Sequence, residues 1–214
     1  LSLSSLSYAI RKTKELSVAN IDYMQGDILK LNTLDYQFDI VESAGVLHHM
    51  EDPIAGWKVL VDLLKSKGLM RIALYSEIAR QNVVEVRELI AKKGYGNSPE
   101  DIRQCRSEIM NMPSGSDSKI QTIMNISDFY SLSECRDLLF HVQEHRFTLP
   151  QIANALEKLG LKFIGFDCSL KIANEFKAYY PNNEDLFSLH LWHQFEQDHP
   201  DTFVNMYQFW LQKF

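Results

Sequence analysis

Apolar residues in the first twenty positions recur at helical spacing. The side chains of Leu6, Ile10 and Leu16 fall near one face of such a helix. Ser4 or Ser5 in front of them is a residue type that caps a helix N-terminus. We therefore expect the chain to open with a helix.

Three short apolar runs further along the chain predict β-strands. They cover residues 21–28, 38–46 and 69–75. The second run is typical of a parallel strand buried on both faces. A helix between the second and third runs is predicted to begin at Asp52, an N-cap followed directly by proline, and to continue to Gly68.

The region after the third strand has a different character. Residues 78–147 carry helical patterns without a convincing strand between them. Ser98, which is followed by proline, opens one of these helices, and residues 112–118 form a link rich in Pro, Gly and Ser. We interpret the whole region as a helical insertion.

Sheet-forming patterns resume after Thr148. Thr148 and Gln151 have the spacing of a capping box, and Gly160 stops the helix that they begin. Residues 161–168 predict another strand, and we assign the nearly continuous apolar stretch 206–213 to a strand rather than a helix.

The alternation of strands and helices predicts an α/β fold. Right-handed crossovers place helices on both faces of a mostly parallel sheet, which gives a Rossmann-like doubly wound architecture. We divide this single domain into residues 1–77, the helical insertion at 78–148, and a C-terminal helix and strands at 149–214.

The composition is that of an ordinary soluble domain. The 214 residues are 45% hydrophobic and 23% charged, with a formal net charge of −6, which argues against a nucleic-acid partner. No apolar run approaches the roughly 20 residues of a membrane helix, and no signal peptide is evident, so we expect a cytoplasmic protein without a membrane partner. Cys105, Cys135 and Cys168 have no zinc or disulfide spacing and are expected to be reduced thiols.

Candidate functional residues follow the first strand, because ligands of open α/β sheets bind beyond the carboxyl ends of the strands. Asp27 could accept a hydrogen bond from the exocyclic amine of an adenine, with Ile28 packed on the ring. An acidic residue at this position could equally cap a helix or lie in a solvated turn.

The end of the second strand carries a second group of candidates. Residues 42–46 include small side chains, which let the backbone approach a ligand, and His48 and His49 follow in the loop to the next helix. The structural alternative is that Gly45 serves a tight turn and His49 helps to cap that helix.

These residues resemble the class I S-adenosylmethionine-dependent methyltransferases. The likeness rests on the Gly-Asp-Ile turn at 26–28, the stretch 38–49 with the Asp-Pro that follows it, and the Lys-Gly-Leu-Met sequence at 67–70. Residues 74–76, 136–145 and 206–210 are similar to a narrower bacterial subgroup that is sometimes fused to tetratricopeptide repeats. The resemblance covers essentially the whole chain.

The resemblance implies an enzyme that uses S-adenosyl-L-methionine to methylate a small-molecule or protein acceptor. Residues 1–77 would form part of the cofactor-binding half of the domain, and no metal would be needed. His48 and His49 would be the catalytic candidates. The cofactor-binding residues would be Ser2, Asp27, Ile28, Glu42, Ser43, Ala44, Gly45 and Val46. The substrate-side residues would be Tyr75, His141, Glu144 and His145.

One departure from the family pattern concerns the N-terminus. The family's first strand, glycine-rich loop and ribose-binding acid would precede the turn at 26–28, and the nine glycines contain no Gly-x-Gly-x-Gly pattern. We expect the missing strands to belong at the centre of the sheet, so that an N-terminally truncated sheet would have a gap between the retained strands. An N-terminal segment is therefore expected to be required, and this chain alone to be unstable or to associate.

Two other functions remain open at this point. Residues 141–145 match the His-x-x-Glu-His pattern of inverted zinc peptidases, with both histidines on one helical face and Glu184 or Glu196 as nominal third ligands. A degenerate methyltransferase fold could instead be a non-catalytic interaction domain that holds a partner through the insertion. Metal content would identify the peptidase, and cofactor binding would separate the enzyme from the interaction domain.

Overall fold

The computed structural model describes residues 2–113 and 118–214. Within these residues the chain forms nine α-helices and five β-strands, with short 3₁₀ turns between them. The helices are α1 (Leu3–Glu15), α2 (Pro53–Asp62), α3 (Gln81–Lys93), α4 (Pro99–Met110), α5 (Ser118–Thr122), α6 (Leu132–Leu139), α7 (Leu149–Leu159), α8 (Leu170–Tyr179) and α9 (Leu189–Asp198). The strands are β1 (Phe38–Ser43), β2 (Leu64–Ser76), β3 (Arg146–Phe147), β4 (Leu161–Phe166) and β5 (Tyr207–Lys213).

β2 is the strand around which the sheet is organised. The strand order is β1-β2-β5-β4, and β3 pairs with the last two residues of β2. β1 and β3 run parallel to β2, whereas β5 runs antiparallel to both β2 and β4. The predicted α/β fold with a Rossmann-like sheet and a helical insertion is confirmed.

One face of the sheet carries the main hydrophobic core. Met70, Ile72 and Leu74 of β2 alternate with outward-facing residues and are fully buried beside Phe209 of β5. Helices α2, α7 and α9 cover this face, and the indole N–H of Trp57 in α2 donates to the Met70 sulfur at 3.2 Å. Each such side chain contributes roughly 1.5–3 kcal/mol by leaving water.

The opposite face of the sheet, which we call the polar face after the charged and amide side chains that cross it, also carries exposed or half-buried apolar residues such as Ile40 and Trp210. Arg71 of β2 forms ion pairs with Glu42 of β1 and with Asp167, which follows β4; the second pair is 2.8 Å long. Its guanidinium also donates to the Gln208 side-chain oxygen on β5 at 2.6 Å. This row of polar side chains crosses the whole sheet.

The helical insertion has a buried core of its own. Helices α3, α4 and α6 contribute to it, together with the turns between α5 and α6. The core contains the buried thiols of Cys105 and Cys135, which are free as predicted. The prediction of helices over 78–147 is confirmed as far as Leu139; residues 141–145 are not helical, and β3 follows them. The predicted link at 112–118 falls partly outside the described residues.

The strand predicted at 21–28 is wrong. These residues form an irregular segment that leads into a 3₁₀ turn at Ile28–Thr33, and the side chains of Ile21 and Met24 are exposed. A strand needs a neighbour to satisfy its backbone hydrogen bonds, and no described strand lies beside this segment. Ser2, rather than Ser4 or Ser5, caps α1 and accepts the backbone N–H of Ser5 at 3.2 Å.

The prediction that residues 38–46 are buried on both faces is also wrong. β1 is an edge strand of the described sheet, and the side chains of Phe38 and Ile40 are 43% and 58% exposed. The expected gap between the retained strands does not occur among the described strands, since β1, β2, β5 and β4 are contiguous. The antiparallel strand β5 lies between β2 and β4 and joins them.

The remaining differences between the predicted and the observed structure concern where helices and strands begin and end. α2 ends at Asp62 and β2 already begins at Leu64, so the helix predicted to reach Gly68 is shorter and the strand longer than expected. β4 ends at Phe166 rather than at residue 168. The capping box of α7, its left-handed C-cap at Gly160 and the final strand are all confirmed.

The N-cap of α2 gives a direct test of how its first turn is stabilised. The Asp52 carboxylate accepts the backbone N–H groups of Ile54 and Ala55, both at 3.0 Å. Asp52→Ala is expected to lower the free energy of unfolding by about 1 kcal/mol, measured by urea denaturation, because both donors lose their acceptor. Asp52→Asn keeps a side-chain acceptor and should lose far less, so equal losses in the two variants would contradict this account.

Candidate functional site

The loop after β1 places two histidines over the end of β2. The chain leaves β1 and turns at Gly45, whose φ of +72° lies in the left-handed region that favours glycine. A 3₁₀ turn at Leu47–His49 follows, in which Leu47 and His48 are fully buried. The turn brings both histidine rings to the carboxyl ends of β1 and β2, where ligands of such sheets bind.

Four of the residues singled out in the sequence form a continuous row of contacting rings, which we call the ring stack; the contact between His48 and His49 is edge-to-face and the others are tilted. The His48 ring lies 4.0 Å from the Tyr75 ring and 4.4 Å from the His49 ring, measured between ring centroids. The His49 ring lies 3.9 Å from that of His141. Residues that are about 90 positions apart in the sequence therefore meet in one place.

Residues 141–145, which we call the return segment, lead the chain from the insertion back to the sheet. The helix predicted for these residues is wrong, because their backbone is bound to the loop after β1. The backbone N–H of His145 donates to the His48 carbonyl at 2.8 Å, and the Gln143 side-chain amide donates to the Met50 carbonyl at 3.2 Å.

The His-x-x-Glu-His pattern therefore does not place two histidines on one helical face. Among the residues at 2–113 and 118–214, no group of three or more His, Cys, Asp or Glu side chains is arranged to hold a metal ion. Glu196, one of the nominal third ligands, is instead bonded to Ser76 and Tyr207.

The hydrogen bonding of His49 determines which ring nitrogen carries the proton. Its Nδ1 lies 2.9 Å from the carbonyl oxygen of Gln143, which can only accept. Nδ1 is therefore the donor, and Nε2 of the neutral ring keeps a free lone pair. Burial lowers the pKa of His49 and outweighs the opposing effect of the Gln143 bond, so the ring is neutral at physiological pH.

His48 is in a drier environment. Its side chain is fully buried, and among the described residues neither ring nitrogen has a well-formed hydrogen bond; a weak contact with the Ala73 backbone opposes the fall in its pKa only slightly. Burial, followed by the charge of His49, lowers the pKa of His48 to about 3. The ring packs between Tyr75 and His49 as a neutral aromatic group.

The Glu144 carboxylate holds the return segment in place through three arginines. Its side chain is only 1% exposed, and Arg80 donates to both of its oxygens, at 2.9 and 2.8 Å. Arg87 and Arg146 approach the same carboxylate at 3.4 and 3.8 Å. Burial alone would raise the pKa of Glu144, but the bond to Arg80 and the three positive charges lower it, so the carboxylate is ionised.

Arg80 also contacts the ring stack. Its guanidinium carbon lies 3.4 Å from the centre of the Tyr75 ring, and its side chain is 5% exposed. Burial raises the pKa of the Tyr75 hydroxyl, so Tyr75 is neutral. The contact is a desolvated cation–π interaction, which contributes on the order of 2 kcal/mol.

Sequence reasoning identified Glu144 but not the arginines that neutralise it. Arg80 is the N-cap of α3 and Arg87 lies seven residues later within the helix, a spacing that places two side chains on the same side. The spacing of this pair gives no indication of its partner, because Glu144 lies 64 and 57 positions further along the chain.

A cavity of about 700 Å³ opens beside the ring stack, and we call it the insertion cavity. Tyr75 and the turn after β2 form one wall, residues 122–128 of the insertion form a second, and residues 200–206 form a third. Its size is within the range of small-molecule sites. Within the described lining the carboxylates are Asp128 and Asp201, and the one cationic side chain, Arg80, is already paired with Glu144.

The first cofactor candidates lie in the turn after the irregular segment. The Asp27 carboxylate accepts the backbone N–H of Leu29 at 3.1 Å and caps the 3₁₀ turn that packs against α2. Asp27 also lines a shallow cavity of about 380 Å³, and Ile28 packs against the main core. Ser2 is distant in the chain and caps α1.

The remaining cofactor candidates surround the end of β1. Ala44, Gly45 and Val46 are exposed, and a Cβ added to Gly45 would meet no atom within 4 Å. The Ser43 hydroxyl is buried without a hydrogen-bond partner among the described residues, whereas Glu42 is bonded to Arg71 on the polar face of the sheet. The roles of these site residues remain predictions.

Comparison with known proteins relates the first third of the chain to methyltransferases. Residues 1–72 match the family model described as a methyltransferase domain. An uncharacterised protein of Synechococcus sp. is 26% identical over 171 residues, which are 78% of this chain and 41% of that protein.

Solved structures show the same fold for the chain as a whole. PKMT2 from Rickettsia typhi, solved in complex with AdoHcy, superposes with a TM-score of 0.69 and 15% identity over 99% of this chain. A second structure of PKMT2 gives a TM-score of 0.69 at 14% identity. In both comparisons the chain covers 42% of the other protein, so it spans about two fifths of the length of these relatives. The chain has the class I methyltransferase fold.

None of the described helices has the length and apolar character needed to cross a membrane.

The buried Glu144 carboxylate predicts a large loss of stability on neutralisation. Glu144→Gln leaves Arg80 buried without its counter-charge and is expected to lower the free energy of unfolding by about 3 kcal/mol, measured by chemical denaturation. Glu100→Gln removes one partner of an exposed ion pair with Arg103 and serves as the control, with a much smaller loss expected. Similar losses in both variants would contradict the role assigned to Glu144.

The low pKa of His48 predicts a dependence of stability on pH. In the unfolded chain His48 binds a proton below pH about 6.5, whereas in the folded chain it does so only near pH 3. The free energy of unfolding is therefore at its full value above pH 6.5 and decreases as the pH falls toward 3. Each pH unit within this window costs up to about 1.4 kcal/mol per such group. In His48→Phe the free energy of unfolding should depend less steeply on pH between 6.5 and 5. His190→Asn, a substitution at an exposed histidine, is the control and should leave this slope unchanged. An unchanged slope in His48→Phe would refute the low pKa of His48.

Proposed function

We propose that the chain is part of an S-adenosylmethionine-dependent methyltransferase whose acceptor binds in the insertion cavity. The observation that carries this proposal is the ring stack at the carboxyl ends of β1 and β2, next to a 700 Å³ cavity, on a class I methyltransferase fold. The match of residues 1–72 to a methyltransferase domain supports it. The AdoHcy bound to the similar protein PKMT2 supports the choice of cofactor.

The residues at the end of β1 fit one part of this cofactor. Exposed side chains at 44–46 leave the backbone open to a ligand, and the Ser43 hydroxyl, which has no hydrogen-bond partner in the described part of the chain, offers a polar contact. The Asp27 carboxylate, with Ile28 beside it, would bind the adenine amine and pack on the ring. S-adenosylmethionine itself would supply a methyl group already activated on a sulfonium, so the protein's task is mainly alignment.

His49 does not line the insertion cavity, and its ring lies 6.1 Å from that of Tyr75, which does. It would therefore take a proton only from a methyl acceptor that extends from the cavity past Tyr75. Its Nδ1 donates to the Gln143 carbonyl, and its Nε2 is therefore free to accept. His48 is fully buried and would act as a packing partner that orients the Tyr75 and His49 rings. Tyr75, which lines the insertion cavity, would contact the acceptor, and Glu144 would hold the return segment.

Calorimetric titration of AdoHcy into the full-length product of the gene tests the proposal. Asp27→Ala is expected to weaken binding by roughly 10-fold or more, because it removes a charged hydrogen-bond partner of the adenine amine. Asp22→Ala, an exposed neighbouring carboxylate, is the matched control and should bind like the parent. Absence of binding in the folded parent protein would overturn the enzyme proposal and favour a non-catalytic interaction domain.

A further inference from the structure

Glu196 is a buried carboxyl group that the proposed chemistry does not use. It lies on α9, its side chain is fully buried, and no described Lys or Arg side chain forms an ion pair with it. Its hydrogen-bond partners are two hydroxyl groups: Ser76 Oγ donates to one carboxyl oxygen, and the Tyr207 hydroxyl donates to the other at 2.6 Å. A carboxyl group buried without a cation is expensive, so its contacts are expected to serve a geometric purpose.

The direction of the Ser76 bond follows from its other partners. Ser76 Oγ accepts the backbone N–H groups of Ile78 and Ala79, at 3.1 and 3.0 Å. Both lone pairs of the hydroxyl oxygen are therefore occupied, and its one proton must point to Glu196. Glu196 thus holds Ser76 in the rotamer that closes the turn after β2.

Each partner of Glu196 leads directly into a wall of the insertion cavity. Ser76 begins the turn whose residues 78–82 form the first wall. Tyr207 follows the lining residues 204–206. Glu196 lies in α9, which ends at Asp198, just before the lining residues 200 and 201. Sheet pairing already joins β2 to the start of β5 through Leu74 and Tyr207, and the Glu196 carboxyl group ties α9 and the turn after Ser76 to this pair.

Tyr75, the neighbour of Ser76 at the end of β2, points to the opposite face of the sheet and contacts the ring stack. Successive strand residues point to opposite faces, so Tyr75 contacts His48 and Arg80 while Ser76 contacts Glu196. The end of β2 is thus fixed from one side by the rings and from the other by Glu196.

We propose that Glu196 is a positioning residue of the insertion cavity, which sets the spacing of the β2–α3 turn, the end of α9 and the start of β5. The acceptor role of this cavity rests on the proposed function, but the spacing of its walls does not. Glu196 acts through Ser76 and Tyr207 and has no contact with the acceptor.

A pair of substitutions separates positioning from simple core packing. In Glu196→Gln the side-chain oxygen still accepts from Ser76, and the amide can donate to the Tyr207 oxygen, so the three segments stay joined. Glu196→Leu fills a similar volume and makes neither bond. Val61→Ala, a buried substitution in α2, is the control for a general loss of stability.

Two local measurements on the full chain test the proposal. Hydrogen exchange at the amides of Ile78 and Ala79 is expected to be at least about 10-fold faster in Glu196→Leu, and within about 3-fold of the parent in Glu196→Gln and Val61→Ala. The methyl NMR signal of Met206, which lines the cavity, should shift in Glu196→Leu alone, while that of Met70 in the sheet core stays in place.

Unchanged exchange and an unmoved Met206 signal in Glu196→Leu would overturn the proposal. Equal effects in the Gln and Leu variants, or equal effects in Val61→Ala, would also overturn it, because they would indicate a loss of general packing. AdoHcy titration of the parent protein reports separately on the proposed function, so failure of one inference is distinguishable from failure of the other.

Discussion

The arrangement of the site depends on one buried ion cluster. Glu144 brings a negative charge into a region with almost no water, and it remains ionised because Arg80, Arg87 and Arg146 surround it. Arg80 and Arg87 come from the turn after β2 and from helix α3, whereas Glu144 and Arg146 lie much further along the chain, in the return segment and in β3. Because the buried charges must neutralise each other, they restrict how these segments can be arranged. The positions of Tyr75 and of the return segment depend on this restriction.

The sheet contributes a strand that is longer than its neighbours. The pairing of β2 with β1 stops at Ile72, and its pairing with β5 stops at Leu74, so Tyr75 and Ser76 extend beyond both neighbours. The short strand β3 is their remaining partner in the described sheet. The end of β2 is therefore held mainly by side chains, with rings and arginine on one side and two hydroxyls and a carboxyl on the other. A site built this way is sensitive to single side-chain changes.

Local sequence signals were sufficient where the chain itself forms the contact. The capping box at Thr148, the N-cap at Asp52 and the left-handed stop at Gly160 involve residues within a few positions of each other, and each was predicted. Whether residues 21–28 form a strand could not be predicted from the local sequence, because a strand is stable only beside another strand. The gap expected in the sheet was wrong for a related reason, since strand order depends on pairing between distant segments such as β2 and β5.

The same distinction applies to the candidate site. His48, His49, Tyr75 and His141 were chosen from strand ends and from a resemblance, and they form one stack. The neutralising arginines and the hydroxyl partners of Glu196 were missed, because nothing in the sequence near an acidic residue indicates which distant side chain will neutralise it. Burial and charge compensation are properties of the assembled fold.

The separate core of the insertion has a consequence for how such a protein can change. The buried side chains of α3, α4 and α6 form one cluster and those of the sheet form another. Mutations inside the insertion can reshape one wall of the cavity while the sheet and the ring stack keep their packing. Substitutions at residues 122–128 and in their supporting helices could therefore change the shape of the cavity, while the Arg80–Glu144 contact continues to join the insertion to the end of the sheet.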